Sequence, residues 1–223
     1  MLISDLIIEQ NHQFLILNKP FAMPSQPDLS EDKSLLGIVE AYCKQDLHIV
    51  NRLDRPASGI VIIARTAKAA TSLHRQFEDK IVEKHYWAVV KKADIAKEAT
   101  LVHYLRKGKD KSAVCTAEDK GAQRAELNYK IISENNNFYL LDIQLVTGRF
   151  HQIRSQLSAI GCPIKGDNKY GFDRSNKDRS IHLHAHSITF KHPISGEKMA
   201  YNAPLVSEDV VWTSLLESKN SVQ

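Results

Sequence analysis

The sequence predicts an α+β fold built on a mixed, mostly antiparallel sheet with flanking helices, and three observations carry that expectation. Short apolar runs read as strands and come in neighbouring pairs joined by polar turns. Residues 125–132 and 137–146 alternate apolar and polar side chains, the two-residue period of half-buried antiparallel strands. Few stretches carry helical spacing, so the regular strand–helix alternation of a doubly wound sheet is missing. With 223 residues the chain is long enough for one large domain or for two halves sharing one sheet.

In chain order, residues 6–9 and 14–18 are β-like runs around the polar Gln10-Asn11-His12-Gln13, which reads as a hairpin. Lys19-Pro20 ends the second run, and Pro24 and Pro27 mark a loop lasting to about residue 33. Residues 35–42 have helical spacing, with Leu35, Leu36, Val39 and Tyr42 on one face. Residues 48–50 and 60–64 are strand candidates on either side of a polar loop. Residues 66–79 read as a helix with Ala69, Leu73 and Phe77 at four-residue steps, and 84–90 return to strand. The stretch 107–122 is rich in Lys, Asp, Ser and Gly and reads as a solvated, mobile loop. Residues 166–180 form a further polar loop, and 182–190 and 198–203 read as strands around His192-Pro193-Ile194-Ser195-Gly196.

Thirty Lys and Arg against 26 Asp and Glu leave a formal net charge of +4, which permits a local nucleic-acid patch without requiring one. The basic side chains cluster at Lys91-Lys92, from Arg106 to Lys111, and at Arg149 with Arg154. Cys43, Cys115 and Cys162 are far apart and form no CxxC pair, the usage of reduced thiols with no case for a zinc site. The first residues lack the basic start and long apolar stretch of a signal peptide, and no run reaches the ~18 apolar residues of a membrane span. A soluble, cytoplasmic protein with no membrane partner is expected.

Two segments stand out chemically. In Asn51-Arg52-Leu53-Asp54-Arg55-Pro56-Ala57-Ser58-Gly59 a carboxylate lies between two arginines, ahead of a continuously apolar run. Carboxylates among guanidinium groups are favoured in their charged form, suited to act as nucleophile or base. In extended backbone Arg52 and Asp54 share a face, while Leu53 points to the core. The same residues also fit a plain turn, with Asp54 capping a backbone amide and Pro56 and Gly59 shaping the bend. In the second segment, 147–157, Phe150, Ile153 and Leu157 fall at helical spacing, Thr147 can cap, and Gly161 is a helix stop before Pro163. Arg149 and His151 would then occupy the first turn, where positive charge is disfavoured unless an anion is near. A surface helix whose arginines pair with glutamates is the other reading. His182, His184 and His186 alternate and suggest one strand face, as structural or RNA-facing groups or, less simply, a metal site.

Together these segments resemble the RluA-like family of pseudouridine synthases, along most of the chain. The family's signature, His-Arg-Leu-Asp-Arg, a variable residue, then Thr-Ser-Gly, corresponds to residues 51–59 here, with Asn51 for His and Ala57 for Thr. Further matches are Lys84-His85-Tyr86, Gly148-Arg149-Phe150-His151-Gln152-Ile153-Arg154, Gly166-Asp167 through Tyr170-Gly171, Leu183-His184-Ala185, and His192-Pro193 with Gly196-Glu197. Their joint occurrence in order is far more specific than any one of them.

The resemblance implies a single catalytic domain, residues 1–223, of the pseudouridine synthase fold with a central RNA-binding cleft. It implies Asp54 as the essential carboxylate, Tyr86 packed against the target base, and Arg154 paired with Asp54. Arg52 would help displace the target nucleotide, and Arg149 would serve a phosphate or a structural role. Gln156 stands where the family often has His, which leaves a local RNA or packing contact open. The family's small N-terminal RNA-binding domain is not expected, since only about fifty residues precede Asp54 and they read as catalytic-domain strands. The implied reaction uses no cofactor and no metal. The implied partner is a structured stem-loop of ribosomal (large-subunit) or transfer RNA, not DNA, and the protein is expected to be a monomer. Rival readings are an RNA-binding or folding factor on the same scaffold, a base-removing glycosylase, and a metal-dependent hydrolase at the histidine strand.

Overall fold

The computed structural model describes residues 2–30, 32–205 and 209–220. Its elements, in chain order, begin with β1 (Ile7–Gln10), β2 (Phe14–Lys19), α1 (Leu35–Cys43), β3 (His48–Ile49), β4 (Ser58–Ala64) and α2 (Ala67–Glu78). They continue with β5 (Glu83–Lys91), β6 (Glu98–Lys107), β7 (Ser112–Cys115), β8 (Ala122–Glu134), β9 (Phe138–Leu145) and α3 (Gln152–Ala159). After a 3-10 turn at Asn168–Tyr170 come β10 (Leu183–Lys191), β11 (Lys198–Asn202) and α4 (Val210–Asn220). The residues fall into two compact units: the described residues up to Lys84 with His184–Leu205, and His85–Leu183 with the described residues from Asp209 on.

In the first unit β4 is central to a small mixed sheet: β2 runs antiparallel to it, from Phe14↔Ala64 to Lys19↔Gly59, and β1 antiparallel to β2. β10 runs parallel to the start of β4, pairing His184 with Ser58 and Ala185 with Gly59, and β11 returns antiparallel to β10. β3 pairs with the far end of β4. Successive side chains of a strand point to opposite faces, yet Ile60, Val61, Ile62, Ile63 and Ala64 are all buried. The unbroken apolar run therefore marks a strand covered on both faces, each large side chain contributing about 1.5–3 kcal/mol. α2 starts at Thr66, whose hydroxyl accepts from Ala69 N, and seats Ala69, Ala70 and Leu73 on the sheet beside Phe14 and Ile62. α1 is capped by Ser34 and buries Leu35 and Val39, but Tyr42, expected on the same face, is 48% exposed. The helix ends one residue later, with Lys44 in a left-handed conformation, so its last turn leaves the apolar face.

The second unit is an antiparallel sheet in the order β5-β9-β8-β6-β7. The solvated loop expected over 107–122 is instead largely a hairpin, in which Lys107 pairs with Ser112 and Gly108 N donates to Lys111 O at the tip. Its charged residues are exposed on an outer pair of strands, and an edge hairpin solvated along most of its length has the composition of a loop. α3 also departs from expectation. It begins at Gln152, with His151 as the left-handed residue before it (φ +51°), so Arg149 and His151 precede the first turn. Thr147 donates its hydroxyl to Gln152 Oε1 and receives Glu126 N instead of capping a helix. Ile153 and Leu157 are buried as the spacing requires. α4, not foreseen from the sequence, is capped by Asp209, whose carboxylate accepts from Val211 N, and sets Lys219 4.6 Å over the Trp87 ring.

Among the described residues no helix is long and apolar enough to cross a membrane. The three cysteines are free, Cys162 being buried.

Candidate active site

Asp54 lies in the irregular link between β3 and β4, where no ladder fixes the backbone. Side chains fix it instead. The Ser25 hydroxyl donates to Leu53 O (3.0 Å) and accepts from Leu53 N (3.1 Å), pinning the residue before Asp54 on both of its polar groups. Leu53 is buried, Arg52 is exposed and Asp54 half-buried, the alternation expected of extended backbone. Ala57 N donates to Asp54 O and closes the turn that follows. Asn51, the first departure from the signature, brackets β4 by accepting from Ile62 N (2.7 Å) and donating to Ile60 O (3.2 Å).

The signature glycine has a steric reason. Gly59 has φ +111°, and a Cβ there would lie 2.3 Å from Ala185 O in β10. The neighbouring Ser58 hydroxyl meets His184 Nδ1 at 2.9 Å, while His184 Nε2 faces Ala203 O at 3.2 Å. The carbonyl only accepts, so Nε2 carries the proton and Nδ1 accepts from Ser58. Burial takes the His184 pKa down to about 4.

Lys19 was passed over in the sequence as the end of a strand, yet it is fully buried. Its ammonium donates to Pro20 O (2.8 Å), Met23 O (2.9 Å) and Arg55 O (3.3 Å), tying the β2 exit to the Asp54 turn. Burial brings its pKa down to about 7, against the Asp54 charge, which raises it. Arg55 is engaged by its own neighbourhood at the surface. Its guanidinium donates to Ala22 O and Ser30 Oγ and pairs with Asp32.

Arg154 belongs to the second unit and is only 4% exposed on α3. Its Nε and Nη2 donate to the two oxygens of Asp167 at 2.7 and 2.8 Å, a bidentate pair that fixes both direction and plane of the guanidinium. The Tyr170 ring lies against its face at 4.9 Å. Asp167 and Tyr170 come from one tight turn, in which Tyr170 N donates to Asp167 O. Asp167 and Tyr170 stood in a matched motif but drew no role from the sequence; their spacing of three, which one helical turn brings together, was the available signal.

Tyr86 is a buried residue of β5, paired with Ile143 of β9. Arg149 is exposed, with its Nε donating to Arg124 O. Gln156 is fully buried and donates to Leu101 O, so that position makes a packing contact. The three histidines do not share one role. His182 precedes β10 in the second unit, stacks on Trp212 with centroids 5.1 Å apart, and faces Asp209 Oδ1 at 3.0 Å. Burial lowers its pKa to about 4 despite that carboxylate. Among the described residues no group of three or more His, Cys, Asp and Glu is placed to hold a metal ion.

Residues 13–159 match the family model described as RNA pseudouridylate synthase. Ribosomal large subunit pseudouridine synthase C of Rickettsia prowazekii is 31% identical over 215 residues, 92% of this chain and 69% of that protein. The same enzyme of Rickettsia conorii is 32% identical, covering 91% and 68%. A solved structure, human RNA pseudouridylate synthase domain containing 4, superposes with a TM-score of 0.77 at 21% identity, covering 98% of this chain and 94% of that one, and shares the fold. The chain belongs to the RNA pseudouridylate synthase family. It is an isomerase whose substrate is RNA, converting uridine to pseudouridine.

Proposed function

We propose that Asp54 is the catalytic carboxylate, that Arg154 pairs with it and orients it, and that Tyr86 packs against the extruded uracil. Arg52 helps displace the target nucleotide, and the exposed Arg149 takes a backbone phosphate. The observation that carries this reading is the construction of the Asp54 loop, an irregular segment pinned by Ser25 and Lys19 where a plain turn needs no such support. The chain works as one catalytic domain, residues 1–223, that takes RNA into a cleft.

The reaction breaks the bond from ribose carbon 1′ to uracil N1 and forms one from carbon 1′ to carbon 5. The hydrogen at carbon 5 leaves as a proton, and N1 gains one. No electrons are exchanged, so no cofactor is needed. Asp54 serves as nucleophile to sugar or base, or as the base that takes a ribose proton. Extruding the base costs a few kcal/mol, least in loops, and stacking on an aromatic ring returns about 1–3 kcal/mol.

The substrate is a structured stem-loop of large-subunit ribosomal RNA, a reading supported by the names of the relatives and by the exposed Arg106, Lys107, Lys109 and Lys111 of the β6–β7 hairpin. Shape and phosphate contacts select it. The protein works as a cytoplasmic monomer. Tritium release from RNA labelled at carbon 5 of uridine, with ribosomal and transfer RNA assayed separately, tests this. Release from large-subunit RNA alone is expected; release from transfer RNA alone overturns the substrate assignment.

A further inference from the structure

Tyr170 joins two parts of the second unit that the reaction uses differently. Its ring covers the Arg154 guanidinium, while its hydroxyl oxygen accepts from Ser112 N at 2.7 Å. The same hydroxyl lies 2.9 Å from His151 Nδ1, within hydrogen-bond distance. Ser112 is buried and pairs with Lys107 in the last rung of the β6–β7 hairpin before the tip, where Lys109 and Lys111 are exposed beside the exposed Lys107. The tip is also held from the same turn, since Lys169 Nζ donates to Asp110 O. The Ser112 hydroxyl donates to Phe150 O, just ahead of α3. A displacement of the tip therefore reaches Tyr170 through one hydrogen bond, and reaches Arg154 through the Tyr170 ring and the Asp167 carboxylate of the same turn.

We infer that Tyr170 is a positioning residue that couples the basic hairpin to Arg154, so that RNA seated on the hairpin sets the guanidinium in its working orientation. The inference rests on the proposed role of Arg154 beside Asp54. It gives the hairpin a part in the rate of the chemical step as well as in affinity. A purely structural Tyr170 would alter stability and leave the rate at saturating RNA unchanged.

The test is single-turnover tritium release at saturating RNA, with RNA affinity and thermal midpoint measured on the same samples. Lys109→Ala with Lys111→Ala, a surface change, is expected to weaken binding and also to slow the saturated step about tenfold, as a coupled site does. Tyr170→Phe keeps the ring and removes the hydroxyl, and should slow the saturated step to a similar degree. Adding the two lysine changes to Tyr170→Phe should then weaken binding without further slowing. A lysine variant altered in affinity alone overturns the coupling, as does Tyr170→Phe at the wild-type saturated rate or an additive loss in the combination. Should Tyr170→Phe fail to fold, the lysine variant decides by itself. Arg154→Ala separates the two readings: a wild-type rate there removes the role of Arg154, whereas a slow Arg154→Ala beside a fast Tyr170→Phe removes only the coupling.

Discussion

The loop that carries Asp54 is held mainly through its main chain, whereas Arg154 is held through its side chain. Around Asp54, Ser25 grips both polar groups of Leu53, and the Lys19 ammonium gathers carbonyls from residues 20, 23 and 55. Around Arg154, one carboxylate and one ring fix the guanidinium directly, on a helix that needs no further support. The difference follows from the local structure. An irregular segment leaves its backbone groups to be satisfied one by one, while a helix supplies its own ladder and leaves only the side chain to be aimed. Substitutions should therefore damage the loop by freeing its backbone and damage Arg154 by freeing its orientation.

The largest effect is expected at Gly59, where a Cβ meets the Ala185 backbone at 2.3 Å and φ is +111°. Gly59→Ala should cost more than about 4 kcal/mol, the size reserved for backbone conflict in a packed core. Urea unfolding checks it, and a midpoint near wild type would break the account of the β4–β10 pairing. Next comes Asp167→Ala, which takes the carboxylate from a guanidinium only 4% exposed. A loss of about 3–5 kcal/mol is expected for breaking a buried pair, with a fall of about a hundredfold in rate for a misplaced group. Asp167→Asn should retain more of both.

Lys19→Met keeps the bulk and removes three hydrogen bonds, so the loop loosens while the core stays filled. About a tenfold loss in single-turnover rate is expected, the size of about one lost charge-assisted bond. With its pKa brought to about 7 by burial, wild-type Lys19 loses its charge as the pH rises through neutrality. The pH–rate profile should carry a falling limb there that Lys19→Met lacks. A last effect, on stability alone, is shared by both units. His184 in the first and His182 in the second each have a pKa lowered to about 4 from an ordinary 6.5. The stability that neutral burial preserves is present above 6.5 and is lost as the pH falls toward 4, up to about 3 kcal/mol for each. Denaturant midpoints measured across that window should decline, and His182→Asn should flatten the decline in part.

Much of this was legible in advance. The apolar run after Gly59 marked a strand, the Arg52-Leu53-Asp54 alternation gave the exposure of each side chain, and the joined motifs gave the family. What was hidden depended on distant partners. Lys19 reads as a solvated strand end because the carbonyls around it come from three separate positions. Residues 107–115 read as a loop because an edge hairpin solvated along its length has a loop's composition. The start of α3 moved to Gln152 because Thr147 found Gln152 and Glu126 in place of a helix end, and Tyr42 fell outside the apolar face at the last turn of α1.

The most direct test of the central claim is Asp54→Asn, assayed for pseudouridine by nucleoside analysis and for RNA affinity on one preparation. The loop contacts are made by Leu53, Lys19 and the main chain, so the variant should fold, bind RNA within a few-fold of wild type and form no pseudouridine. Pseudouridine at the wild-type yield would contradict the assignment of Asp54, and abasic RNA in its place would make the protein a glycosylase.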